Sequence, residues 1–160
     1  MPSPKVPSAR VLQNRANRVV MNKAALDAGQ LGIADGLAEI GARIVADYAA
    51  TAPRDPEIAA KRGVPMMADQ GRFSVFALGK LVAGDTGRTA SQNKPRGVKT
   101  PKDEVVLVVY VASPIAHFSE LGTVKEVAHP TLSPAFNANI GGADQIVGPA
   151  MGKRIAAVPG

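Results

Sequence analysis

Residues 104–136 read EVVLVVYVASPIAHFSELGTVKEVAHPTLSPAF. Five of the nine residues from Glu104 to Ala112 are valine, a β-branched side chain that suits a pleated surface. The run Val105–Val111 is apolar without alternation. That pattern predicts a strand covered on both faces, either central in its sheet or at a contact between subunits. Val106 and Val108 are therefore expected to be buried. Ser113-Pro114 marks a turn, and Ser133-Pro134 marks the start of a helix, with Ser133 as the cap and Pro134 at the first helical position. Phe136 and Ile140 would pack one face of that helix, and Gly141-Gly142 would stop it.

Working upstream, a helical pattern begins near Val20. Ile33, Leu37, Ile40, Ile44 and Tyr48 fall at spacings of three and four residues, on one stripe. Asp35, Glu39, Arg43 and Asp47 share another face, and Glu39 before Arg43 is the favourable order for a helix ion pair. Gly29, Gly32, Gly36 and Gly41 weaken such a helix by up to about 1 kcal/mol each. They also permit close approach of another backbone. Ala52-Pro53 ends the helix, because the residue before a proline is pushed out of the α region. Residues 53–72 read as a loop. Phe73 to Val82 suits either a strand or a helical turn, and the alternation of Phe73, Val75 and Ala77 favours the strand. Gly84 to Pro101 has the composition of a mobile loop, and residues 143–157 read as a further helical piece broken at Gly148-Pro149.

The expected architecture is α+β: one long N-terminal helix on a small, mostly antiparallel sheet, followed by short helices, with long mobile loops. Residues 1–19 form a flexible basic arm, 20–142 a single domain with a basic loop at about 84–101, and 143–160 a C-terminal extension. A chain of 160 residues suffices for one core. With 4% aromatic residues and no Trp, that core must be built from Ala, Val, Leu and Ile. Cysteine is absent, which excludes disulfides and thiolate chemistry. No leader-like or membrane-spanning apolar run is evident, so the expected setting is soluble and intracellular at synthesis.

The net charge of +6 is uneven. Lys5, Arg10, Arg15, Arg18 and Lys23 stand in the first 23 residues with no acid, and residues 53–102 hold ten bases against four acids. Such clusters are either solvated loops or contacts for a polyanion. The stretch with Arg88, Lys94, Arg96, Lys99 and Lys102 contains no aromatic residue, so it offers phosphate contact without base stacking. It is the candidate surface for DNA or for an acidic partner.

Catalytic patterns are weak. His117 and His129, with Glu120 or Glu126, match no compact metal motif. Ser119 near His117 lacks a nucleophile elbow. Gly79-Lys80 is followed by Leu81 where a phosphate loop needs a hydroxyl. The expectation is no enzyme, no metal and no cofactor. Glu120 stands apart, between apolar Phe118 and Leu121. It is either exposed at a turn or held by backbone N–H groups or an Arg, with Gly122 supplying a permissive backbone and Thr123 bonding back locally.

The ordered set of an apolar strand ending Tyr110-Val111-Ala112, then Glu120-x-Gly122-Thr123, then Pro134-Ala135 resembles the tail-completion (minor tail component) family of long-tailed bacteriophages. The resemblance spans about residues 20–140. Its departure is a longer middle segment, where Thr86-Gly87 is followed by Arg88-Thr89. The resemblance implies a structural virion protein of the tail or head–tail neck, assembled in the host cytoplasm. Copies would form a sixfold or twelvefold ring around the DNA channel and meet adjoining neck or tail proteins. It implies a structural turn built from Glu120, Gly122, Thr123 and Pro134; no membrane partner is expected. The basic clusters leave an alternative open: a small protein that binds nucleic acid without sequence preference.

Overall fold

The computed structural model describes residues 23–54, 56–63, 66–84, 99–113, 116–125 and 127–159. Helix α1 runs Lys23–Thr51, helix α2 Pro56–Arg62, and a 3-10 turn Met67–Gln70 leads into strand β1, Gly71–Ala77. Strands β2, Lys80–Gly84, and β3, Val106–Val111, complete a three-stranded antiparallel sheet in the order β2-β1-β3. Helices α3, Ala116–Leu121, α4, Leu132–Ile140, and α5, Ala143–Ala156, follow. The fold is α+β, with the long helix packed on the small sheet and short helices after it.

Helix α1 is the spine. It lies between the sheet on one side and α4 and α5 on the other. Against the sheet, Ala34 packs with Val75 and Ala77, flanked by Phe73, Val105 and Leu107. Nearer its C-terminal end, Ile40, Ile44 and Tyr48 are fully buried among Leu107, Val109, Val111, Leu132 and Ile140. The expected stripe is therefore present, with Ile33 and Leu37 half-buried, but it is one of two buried faces. The second is the glycine face. A Cβ at Gly32 would fall 2.5 Å from the Met151 Cα, and one at Gly36 would fall 2.8 Å from the Val147 Cα. At those two positions α1 and α5 touch backbone to backbone, which only glycine allows. The Arg154–Asp35 ion pair, 2.6 Å, joins the same two helices at the surface.

Several expectations are corrected. Among the described residues the central strand is β1, because there β3 pairs only with β1 and lies at the margin of the sheet. Within the fold, one face of its valine run is accounted for. Val105, Leu107, Val109 and Val111 pack toward α1. All six residues of β3, Val106 and Val108 included, are half-buried rather than buried. The segment 73–82 is not one strand but most of a hairpin. Leu78 and Gly79, at φ of 53° and 78°, form its two-residue turn, the conformation whose twist matches antiparallel strands. The register slips between Val75 and Phe76. Residues 53–72 contain α2 and the 3-10 turn rather than a plain loop.

Pro149 sits inside α5 without ending it. The helix persists because α1 holds it over its length, which outweighs a local cost of about 3 kcal/mol. Helix α5, which makes up most of the expected C-terminal extension 143–160, packs along α1. Phe136 is exposed, and Ala135 takes the buried place on α4. Gly141-Gly142 does follow the end of that helix.

Two glycine substitutions should separate packing from helix propensity. Gly32→Ala forces a backbone contact apart and should destabilise by about 1–3 kcal/mol despite the better helix former. Gly152→Ala in α5 meets nothing within 4 Å and should stabilise by up to about 1 kcal/mol. Thermal melts of the two variants are expected to shift in opposite directions.

Candidate functional site: the carboxylate clamp at Glu120

Helix α4 begins without its own cap. Thr131 occupies the N-cap position, not Ser133 as the sequence suggests, and its side chain makes no capping hydrogen bond. The first turn of a helix leaves backbone N–H groups without partners. Here Glu120, from the preceding helix α3, supplies them. Its Oε1 accepts from the Thr131 N–H at 2.7 Å, the Leu132 N–H at 2.7 Å and the Thr131 hydroxyl at 3.0 Å. Its Oε2 accepts longer bonds from the Ser133 N–H at 3.5 Å and the Ser133 hydroxyl at 3.4 Å. A charged acceptor at the positive end of a helix is favoured twice, by hydrogen bonding and by the helix dipole.

The titration of the group follows. Burial alone would raise the Glu120 carboxyl, but the donors from Leu132, Thr131 and Ser133 outweigh it and hold it below the ordinary carboxyl range. Tyr48 on α1 lies close enough to sense this charge. Its phenol is pushed up, first by burial and then by the Glu120 carboxylate. The Tyr48 hydroxyl also donates to the Met67 carbonyl at 3.3 Å. Tyr48 thus sits within reach of the Glu120 charge and bonds the segment that enters β1.

A second bond closes the intervening loop. The His129 N–H donates to the Ser119 carbonyl at 2.8 Å. Gly122, at φ of 76°, turns the chain directly after Glu120 and Leu121; a β-branched residue in that region would be strained. The Thr123 hydroxyl accepts from the Lys125 N–H at 3.2 Å. Between these anchors the loop holds three large apolar side chains in solvent: Leu121 at 81%, Val124 at 107% and Val127 at 81% exposure.

Pro134 is exposed at the third position of α4. It lines a cleft of about 380 Å³ between α4 and the end of α1, with Ala50, Pro130, Ala135 and Ala138 and with Asp47 at its edge. The Asp47 carboxylate accepts from the Asn139 amide at 2.7 Å. Sequence reasoning missed this cleft and the exposed loop. The signal for the loop was present, since Val124 and Val127 are apolar in an otherwise polar turn.

Of the basic candidates, Lys99 and Lys102 are exposed, and the Lys102 stem lies beside the hairpin turn at Gly79. Arg88, Lys94 and Arg96 lie outside the described residues, as do Glu126 and the His117 side chain. Among the described residues no three His, Asp or Glu side chains converge as a metal site, and no helix is long and apolar enough to cross a membrane. Comparison with family models, with characterised proteins and with solved structures finds no match.

The folded state binds the Glu120 proton less tightly than the unfolded chain does. The stability this carboxylate contributes is thus complete above the ordinary carboxyl range and is lost as the pH falls through and below it. Glu120→Gln should lower the melting temperature at neutral pH, by the equivalent of about 1 kcal/mol for a lost cap. The gap between wild type and variant should narrow as the pH falls through and below the ordinary carboxyl range. A gap independent of pH would assign the loss to packing instead.

Proposed function

We propose that this chain is a structural virion protein of a tailed phage, a tail-completion or head–tail neck component that assembles as a ring around the DNA channel. One observation carries the reading beyond the resemblance. The Glu120-x-Gly122-Thr123 motif is spent on hydrogen bonds that hold the start of α4 and the turn before it, and beside that turn Leu121, Val124 and Val127 are exposed to solvent. A clamped apolar projection is what an assembly subunit offers to a neighbour; isolated proteins rarely expose grouped apolar side chains without a partner. Among the described residues the outer edge of β3 is unpaired, a second surface able to meet another chain. The carboxylate itself is saturated by five donors, so it is committed to structure rather than to proton transfer.

The ring, sixfold or twelvefold, and the contacts with adjoining neck or tail proteins come from the resemblance. Lys99 and Lys102 with the rest of the basic stretch would face the channel DNA or an acidic neighbouring ring. The test is genetic and structural. Deleting the gene from its phage or prophage should stop particle completion, and cryo-EM of complemented particles should place several copies about the tail axis. Full infectious titre without the gene would overturn the reading. Salt-sensitive binding of duplex DNA by the free protein, together with that full titre, would establish the nucleic-acid alternative.

A further inference from the structure

The register of β3 fixes which of its backbone groups face outward. Opposite residues of an antiparallel pair alternate between exchanging both hydrogen bonds and exchanging none. The Ala112 N–H donates to the Gln70 carbonyl at 2.8 Å, and the same register runs on through the pairs Arg72–Tyr110, Ser74–Val108 and Phe76–Val106. The N–H and C=O groups of Leu107, Val109 and Val111 therefore point away from β1, and among the described residues no strand receives them. The two margins of the sheet differ. Strand β2 begins at the exposed Lys80, and its register with β1 slips between Val75 and Phe76; a lysine and an irregularity are common guards of a sheet edge. Between Val106 and Val111, β3 has no charge, proline or glycine, and it pairs with β1 without a slip.

An unguarded edge specifies the chemistry of what meets it. Donors and acceptors in alternation along Leu107, Val109 and Val111 are matched by an extended polypeptide backbone. Both faces of β3 are half-buried, so the incoming side chains must be uncharged, since a charge beside Val108 or Val109 would lose water without gaining a partner. A second copy supplies no such segment for a ring. Two β3 edges meet about a two-fold axis and close as a dimer, whereas a ring needs unlike patches in contact. Strand β2 of a second copy would bring its lysine and its slipped register to the junction. We propose that an extended, uncharged, apolar segment of an adjoining tail or neck protein adds to β3 as a fourth strand, bonded to the outward groups of Leu107, Val109 and Val111. This rests on the assembly reading above and names the kind of neighbour that the edge fits.

Amide exchange and one proline variant test it. In dilute free protein the outward amides of Leu107, Val109 and Val111 should exchange quickly, while those of Val106, Val108 and Tyr110 stay protected. In purified particles all six should be protected, and cryo-EM density beside β3 should trace into a different protein. Protection of the outward amides in dilute free protein would show that the chain covers its own edge. Protection that appears only as free protein is concentrated, or density that traces into a second copy, would make that copy the occupant. Each of these results overturns the proposal. Proline at an outward position removes no bond to β1. Val109→Pro should therefore melt close to Val109→Ala but fail to restore titre to a phage lacking the gene, while Val109→Ala, which keeps the N–H, restores it. Full titre from Val109→Pro would overturn the fourth strand and leave the assembly reading standing, because the gene is still required. If Val109→Pro does not fold, the outward amides of wild-type particles decide: protection supports the fourth strand and fast exchange overturns it. Absence of the protein from particles would remove both.

Discussion

One carboxylate organises the second half of this molecule. Glu120 takes the free N–H groups at the start of α4, a task that the local sequence leaves undone because the Thr131 side chain does not cap its own helix. The consequence is geometric. A residue on α3 reaches the start of α4, and the chain between them closes back on itself. The Ser119–His129 backbone bond and the left-handed turn at Gly122 complete that closure. The apolar side chains of the loop stay in solvent because its backbone is held elsewhere, not because the loop packs on a core.

The clamp works only on a firm base, and α1 provides it. That helix is apolar on two sides, which suits an element sandwiched between a sheet and other helices. Bulky residues face the sheet and the C-terminal core, while Gly32 and Gly36 face α5 at backbone contact. Tyr48 joins the two systems, buried in the core and close to the Glu120 charge. Residues from α4 and α5, Leu132, Ile140, Ala143 and Ile146, pack on the same core. The C-terminal third is thus attached to the spine by packing and oriented by the clamp.

Much of the fold was legible in the sequence. The period of Ile33 to Tyr48 gave the long helix, Ala52-Pro53 placed its end, and the valine run gave a strand. The glycines of α1 also foretold a close backbone approach. What escaped was tertiary. An apolar run signals coverage, but it cannot separate a central strand from one at the margin of the described sheet, which is where β3 lies. Pro149 signals a break, yet packing along α1 overrides a local penalty. The cap of α4 was assigned to the nearest hydroxyl because a side chain arriving from 11 residues earlier leaves no local trace. Glu120 was singled out for its apolar neighbours, and backbone N–H groups were one of the two ways of holding it that the sequence left open. The recess between α1 and α4 had no sequence signature, since its walls are alanines and prolines brought together by folding.

The most direct measurement of the clamp is amide hydrogen exchange at Thr131 and Leu132, compared between wild type and Glu120→Ala under identical conditions. First-turn amides of a helix ordinarily lack intrahelical partners and exchange quickly. If Glu120 holds them, both should be strongly protected in the wild type and lose that protection in the variant, while amides in the middle of α1 stay protected in both. Rapid exchange at Thr131 and Leu132 in the wild type, equal to that of the variant, would contradict the account.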